Sequence, residues 1–116
     1  IKDSLMRAGY VNIMNFNNGK EAWDYLNTIR NDSDFHDKAA LMITDIEMPE
    51  MDGHRLTKLV KEDEKMTKMP IIIFSSLINE EMWRKGKQLG ADEQLSKPEI
   101  GRLVEVMDEL LARKEK

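Results

Sequence analysis

Short apolar runs alternate with stretches of helical periodicity along this chain, and that alternation restricts the folds it can adopt. The run at residues 39–44 (AALMIT) is continuous, which is typical of a strand buried on both faces. A second run occupies residues 71–74, a third short strand is predicted at residues 94–96, and an alternating pattern predicts another strand at residues 11–16. Helical stretches separate these strands, so the pattern predicts an α/β fold with a parallel sheet covered by helices.

The predicted helices have recognisable ends. Asp52 and Asn79 are expected to cap two of them at the N-terminus, and Gly90 is expected to end the second of these two. The last helix, over about residues 99–113, carries an apolar stripe that is expected to lie on the sheet. The chain opens on a helix, where such a series is expected to begin with a strand. We therefore expect one domain over residues 1–116, N-terminally truncated, whose sheet lacks its first strand.

Composition excludes several classes of function. The chain has 116 residues and a net charge of −4, which argues against non-specific nucleic-acid binding because that requires a basic face. It has no cysteine, so disulfides and thiolate metal sites are excluded. The sequence contains neither an apolar stretch of membrane-spanning length nor a recognisable signal peptide. We therefore expect a cytoplasmic protein with no membrane partner.

Three polar side chains follow the ends of the predicted strands. Asp45 ends the run at residues 39–44, Ser75 ends the second run, and Lys97 follows the third strand. Because ligands bind at the carboxyl ends of the strands in open α/β sheets, these three are expected to line one rim. An acid, a hydroxyl and an amine suit a phosphoryl group better than a metal or an acyl chain. Each residue alone has an ordinary alternative, namely a turn aspartate, a strand-end hydroxyl and a surface lysine.

Motifs spread over essentially the whole chain resemble the receiver domain of bacterial response regulators. The matching segments are Ala8-Gly9-Tyr10, Asn18-Gly19-Lys20-Glu21-Ala22, Thr44 to Gly53 (TDIEMPEMDG), Pro70 to Ser76 (PIIIFSS), Gly90-Ala91-Asp92 and Lys97-Pro98. Their order and spacing together are specific. The segment around Asp45, with Glu at position 47, most resembles receivers of CheV-type chemotaxis scaffold proteins. The resemblance implies a doubly wound parallel sheet with flavodoxin-like topology.

The resemblance also implies a role for each site residue. Asp45 would accept a phosphoryl group from the phosphohistidine of a histidine kinase, while Lys97 and the Ser75 hydroxyl would contact the phosphoryl oxygens. Asp45 and the backbone carbonyl of Glu47 would be ligands of Mg²⁺, which prefers oxygen donors. The changed binding surface would serve signalling, with chemotaxis proteins as partners. The domain would take part only in its own phosphotransfer and dephosphorylation, and is not otherwise expected to be an enzyme.

The chain departs from the family pattern at two places near the site, and the resemblance has one further implication. Receivers of this family supply an acidic pair from the loop after their first strand. This chain lacks both the strand and the pair, so its metal site is expected to be incomplete. They commonly carry an aromatic residue three positions before the lysine, where this chain has Gln94. The resemblance also implies a cis peptide bond between Lys97 and Pro98.

Other interpretations stay open at this point. The main alternative is a phosphorylation-independent interaction module, a pseudo-receiver that uses its last helices for docking. A small nucleotide-binding domain is disfavoured because no glycine-rich loop follows a strand. His36 in a polar loop and His54 on a helix surface are assigned no function, and Trp83 is either a core residue or an exposed aromatic on a binding face.

Overall fold

A parallel three-stranded sheet forms the centre of the computed structural model, which describes residues 2–10, 12–48, 50–76 and 78–114. The strands are β1 (Met42–Thr44), β2 (Ile71–Ser75) and β3 (Glu93–Ser96), in the order β1-β2-β3. Met42 pairs with Ile71, and Ser75 pairs with Ser96. Every residue of β2 is buried, as its continuous apolar sequence predicts.

Six helices pack around the sheet in the described part of the chain. They are α1 (Lys2–Arg7), α2 (Gly19–Ile29), α3 (Phe35–Lys38), α4 (Gly53–Glu62), α5 (Glu80–Leu89) and α6 (Ile100–Lys114), with a 3₁₀ turn at Lys97–Glu99 before α6. The side chains of Asn18, Asp52 and Asn79 cap α2, α4 and α5 by accepting a hydrogen bond from the amide three residues later. None of the helices in the described ranges is long and apolar enough to cross a membrane.

Two hydrophobic clusters lie on opposite faces of the sheet. One joins α1 and α6 to the strands through Leu5, Ile72, Phe74, Leu95, Leu103, Val106, Met107 and Leu110. The other joins α2, α3 and α4 to the sheet through Leu26, Ile29, Phe35, Leu56, Val60, Met66, Met69 and Ile71. Successive residues of β2 point to opposite faces, so Ile71 and Ile72 belong to different clusters. Both faces of the sheet are therefore packed, and polar chemistry is confined to its edges.

Lys61 fastens the edge of the sheet at which the strands begin. Its ammonium donates to the carbonyl oxygens of Thr67 (3.1 Å) and Met69 (2.9 Å) and to the Asp92 carboxylate (2.9 Å). The same Asp92 oxygen accepts a hydrogen bond from the Ile71 amide at 2.8 Å. One partly buried charge thus joins the end of α4, the loop before β2 and the segment before β3.

The predicted strand at residues 11–16 is wrong for its described part, because residues 12–16 form no secondary structure. A strand needs a neighbour to pair with its backbone. None of the backbone hydrogen bonds found outside helices and paired strands in the described ranges involves residues 12–16. Among the described residues these do not pair with β1 either, which is hydrogen-bonded to β2 alone.

The structure shows where His36, His54 and Trp83 lie. His54 was predicted on a helix surface, yet it is 5% exposed, because the start of α4 packs against α5. Burial and the nearby Lys85 hold the pKa of His54 below its ordinary value. His36 lies in α3, within the segment predicted as a loop. Trp83 is 43% exposed on α5, with the Lys87 amine 5.0 Å from its ring centre, so it is not a core residue.

Candidate functional site

Asp45 and Lys97 meet at the carboxyl ends of the strands. Asp45 directly follows β1, Lys97 directly follows β3, and the Lys97 Nζ lies 2.9 Å from the Asp45 Oδ2. Ser75 ends β2 between them, is 5% exposed and interacts with the same carboxylate. The second carboxylate oxygen, Oδ1, accepts a hydrogen bond from the Ile46 amide at 2.7 Å. The structure thus brings together the three residues that the strand ends predicted.

Hydrogen bonding and charge keep the Asp45 carboxylate ionised. Burial acts to raise its pKa, but hydrogen bonds from Lys97, Ser75 and the Ile46 amide, with the positive charge of Lys97, outweigh burial. The pKa of Asp45 therefore lies below its usual value. The side chain keeps 30% of its surface exposed, so a reacting group can approach it from solvent. A nucleophilic carboxylate in this state has no proton to lose before it attacks.

Gly53 holds the loop that follows Asp45 against the end of β1. Its amide donates to the Ile46 carbonyl at 2.8 Å, which closes the loop over residues 46–52. A Cβ at position 53 would lie 1.8 Å from the Asp45 carbonyl oxygen, so only glycine fits there without movement. The sequence indicates no role for Gly53 beyond its place in the motif at residues 44–53, because its close approach to Asp45 depends on tertiary packing.

Glu99 fixes the turn that carries Lys97. Its carboxylate accepts hydrogen bonds from the Ser96 amide (2.8 Å) and the Ser96 hydroxyl (3.1 Å), and these bonds lower the pKa of Glu99. Ser96 precedes Lys97 and Glu99 follows it, so these bonds hold the 3₁₀ turn between β3 and α6 that contains Lys97. Sequence reasoning missed Glu99, although a serine followed three residues later by glutamate is a recognised start of a helix.

No cis peptide bond is found in the described part of the chain, so the cis bond implied before Pro98 is not found.

The described residues supply only part of a metal-binding site. Glu47 is exposed in the loop after Asp45 and, with Ile46, Met48 and Asp52, lines a cavity of about 460 Å³. Among the described residues, no group of three or more histidine, aspartate or glutamate side chains could hold a metal ion. Mg²⁺ commonly binds one or two carboxylates and keeps several waters, so the Asp45 carboxylate and the Glu47 carbonyl suit part of its coordination shell.

Comparison with known families shows where this chain belongs. The model of the response regulator receiver domain matches residues 1–108. The chain belongs to the response regulator receiver family. The predicted flavodoxin-like α/β fold is thereby confirmed, with a shorter sheet, and receivers are signalling domains rather than conventional enzymes.

Curated relatives share part of their length with this receiver. The gliding motility regulatory protein of Myxococcus xanthus is 40% identical over 73 residues, which are 63% of this chain and 9% of that protein. Chemotaxis protein CheY1 of Helicobacter pylori is 36% identical over 66% of this chain and 56% of its own length. Chemotaxis protein CheV2 of the same organism is 30% identical over 84% of this chain and 30% of its length. The receiver therefore spans little more than half, or less, of these relatives.

Solved structures show the same fold. The signal receiver domain of a histidine kinase from Syntrophus aciditrophicus superposes with a TM-score of 0.77 at 29% identity, covering 96% of this chain and 78% of that one. The receiver domain of sensor kinase PA1611 from Pseudomonas aeruginosa has a TM-score of 0.76 at 18% identity, covering 96% and 84%. That second structure has a magnesium ion in its active-site cleft.

Gln94 ties α5 to β3 in this receiver. Its Nε2 donates to the Trp83 carbonyl at 2.8 Å, and its Oε1 is buried with no hydrogen-bond partner among the described residues. The amide at this position makes a directional hydrogen bond to a helix backbone, which a phenylalanine ring cannot make.

Proposed function

We propose that this receiver accepts a phosphoryl group on Asp45 from a histidine kinase and changes its binding surface in response. The observation that carries the proposal is the 2.9 Å contact between Lys97 Nζ and Asp45 Oδ2, with Ser75 beside the same carboxylate. A carboxylate that serves only in a structural ion pair needs a single cationic partner. Asp45 has both an amine and a hydroxyl beside it at an open rim, and this combination suits phosphoryl transfer. Catalysis of this kind rests on positioning and charge neutralisation.

The chain's own residues divide the reaction between them. An Asp45 oxygen attacks the phosphorus of a phosphohistidine, so a P–O bond forms as the P–N bond breaks and its electron pair returns to the imidazole, which takes up a proton. The ammonium of Lys97 and the hydroxyl of Ser75 stabilise the negative charge on the transferred phosphoryl oxygens. The product is an acyl phosphate on Asp45, and hydrolysis of that bond returns the carboxylate.

We further propose Mg²⁺ as the cofactor, held by the Asp45 carboxylate and the Glu47 backbone carbonyl. Both are hard oxygen donors on one loop, and solvent or residues outside this sequence would complete the shell. When bound, the ion would neutralise phosphoryl charge. The partners we propose are a histidine kinase and chemotaxis signalling proteins, in the cytoplasm. The chemotaxis assignment is supported by the likeness to CheY1 and CheV2 of Helicobacter pylori.

Labelling with a small phosphodonor tests the proposal. Incubation with acetyl phosphate and Mg²⁺, followed by intact-mass measurement, should add one phosphoryl group that hydroxylamine removes. Asp45→Asn should abolish the addition, while Asp34→Asn, an exposed carboxylate outside the rim, should keep it. Labelling that persists in Asp45→Asn contradicts the assignment. A folded native chain that binds Mg²⁺ yet takes up no label from acetyl phosphate or from phosphorylated kinase supports the pseudo-receiver instead.

A further inference from the structure

The peptide unit between Asp45 and Ile46 is hydrogen-bonded at both of its polar ends. Its N–H, which belongs to Ile46, donates to the Asp45 Oδ1 at 2.7 Å. Its carbonyl oxygen, which belongs to Asp45, accepts a hydrogen bond from the Thr44 hydroxyl at 2.9 Å. Because a trans peptide unit is planar, its N–H and C=O point in opposite directions. A bond that fixes the carbonyl therefore also fixes the direction of the N–H.

The surroundings of the Thr44 hydroxyl direct its proton to this carbonyl. Thr44 is the last residue of β1 and is only 4% exposed, so its hydroxyl is largely shielded from water. The Met48 sulfur lies 3.8 Å from the hydroxyl, but a thioether is a weak acceptor, and a hydroxyl has one proton to donate. Gly53 packs against the same carbonyl oxygen of Asp45. The carbonyl is therefore held by a hydrogen bond and by close contact.

The direction of the Ile46 N–H determines how the Asp45 carboxylate is turned. While Oδ1 is bound to this N–H, the other oxygen, Oδ2, lies 2.9 Å from the Lys97 Nζ. If the peptide unit were reversed, its carbonyl oxygen would face the negatively charged carboxylate, and the two would repel each other. The contact between Asp45 and Lys97 therefore depends on the orientation of a backbone group that neither side chain controls alone.

We infer that Thr44 is a positioning residue for phosphoryl transfer, because its hydroxyl fixes the peptide unit that turns the Asp45 carboxylate towards Lys97. This inference rests on the function proposed above. Thr44 acts through Asp45 and Ile46 and makes no contact with the phosphoryl donor in this role. A reacting group that is misplaced by about 1 Å can cost a reaction about 100-fold in rate. Loss of the hydroxyl should therefore slow phosphoryl transfer and leave its chemistry unchanged.

Three substitutions at Thr44 test the inference by labelling and by NMR. Thr44→Val replaces the hydroxyl by a methyl group, Thr44→Ala removes it without adding volume, and Thr44→Ser keeps it. With acetyl phosphate and Mg²⁺, the labelling rate should fall by roughly tenfold or more in the valine and alanine variants. The serine variant should stay close to the native rate. Without phosphodonor, the Ile46 amide proton should move upfield in the valine and alanine variants, because its hydrogen bond to the carboxylate weakens.

Thr57→Val separates positioning from a loss of stability. Thr57 is 0% exposed, and its hydroxyl donates to the Gly53 carbonyl at 2.7 Å, so this variant also loses a buried hydroxyl but keeps the bond to the Asp45 carbonyl. It should be less stable than the native chain and label at the native rate.

The inference is overturned if Thr44→Val and Thr44→Ala label at the native rate, or if the Ile46 amide shift is unchanged in both. It is also overturned if Thr57→Val slows labelling as much as Thr44→Val does. The amide shift requires no phosphoryl transfer. A native chain that takes up no label would therefore contradict the proposed function, while the Ile46 shift would still decide whether Thr44 orients this peptide unit.

Discussion

At the scale of single residues, the rim of this receiver depends on donors from separate segments converging on one carboxylate. Lys97 follows β3, Ser75 ends β2, and the Ile46 amide belongs to the loop after β1. The convergence opposes the effect of burial on the pKa of Asp45. It holds the pKa of this partly buried carboxylate below its ordinary value, so Asp45 is ionised near neutral pH.

Lys97→Met should raise the pKa of Asp45, because burial remains while the ammonium is lost. In the native chain the folded-state pKa lies below the unfolded value. The carboxylate therefore contributes stability that is present above the unfolded-state pKa and is lost as pH falls through the folded-state pKa. The variant should lose part of this contribution, and its acid unfolding should begin at higher pH.

The measurement is the carbon-13 shift of the Asp45 carboxyl followed against pH. Lys87→Met, which removes an amine that lies over Trp83 instead, should leave the curve in place. An Asp45 titration that is the same in Lys97→Met and in the native chain would show that the 2.9 Å contact has no electrostatic effect on the site.

At the scale of elements, helix α4 sets the position of the rim by packing its first residue on the end of β1. Gly53→Ala places a Cβ against the Asp45 carbonyl, so backbone must move, and a loss of about 1–3 kcal/mol in the free energy of unfolding is expected. Urea denaturation followed by circular dichroism measures it. Gly101→Ala is the control, because its Cβ meets nothing within 4 Å, and it should stabilise α6 by about 0.5–1 kcal/mol. Equal effects of the two substitutions would contradict this packing.

The packing of α6 gives a second test. Leu103 is 0% exposed, so Leu103→Ala should lower the free energy of unfolding by about 2–5 kcal/mol through lost burial and a residual cavity. Glu105→Ala, on the exposed side of the same helix, should change it by less than about 0.5 kcal/mol. A small effect at Leu103 in thermal or urea unfolding would mean that the helix presents another face to the sheet.

Sequence patterns predicted the elements whose structure depends on their own residues. The run at 71–74 is apolar on both faces and forms a strand, and Asp52 caps a helix where its position predicted. Residues 12–16 do not form the strand that their alternation predicted, because pairing depends on a partner rather than on the segment itself. The same limit applies to His54, whose burial is set by α5.

Sequence reasoning also reached the meeting of Asp45, Ser75 and Lys97, because parallel strands end at one edge of a sheet. It did not reach Glu99, whose contact with Ser96 depends on the 3₁₀ turn. The anchoring of Gln94 to the Trp83 carbonyl also depends on the distance between a strand and a helix, which no local pattern encodes.

At the scale of the whole molecule, Tyr10 connects the two ends of the chain. Its hydroxyl donates a hydrogen bond to Asp108 on α6. Burial, followed by the hydrogen bond and the negative charge of Asp108, raises the pKa of Tyr10 to about 12. The segment after α1 is thereby attached to the last helix.

Tyr10→Phe should weaken the loss of stability at alkaline pH. A raised folded-state pKa contributes stability that is fully present below the unfolded value and is lost as pH rises through the folded value, here between about pH 10 and 12. Midpoints of thermal unfolding across this range should fall less steeply in Tyr10→Phe than in the native chain. An equally steep fall in Tyr10→Phe and in the native chain would contradict this assignment.

Proteins often use the same residues to stabilise the fold and to line the reactive site. In this chain the network centred on Lys61 serves the first purpose away from the site. It fastens the edge at which the strands begin, whereas Asp45, Ser75 and Lys97 lie at the opposite edge. Substitutions at Asp45, Ser75 or Lys97 can therefore change the chemistry of that edge while the Lys61 network at the far edge stays intact.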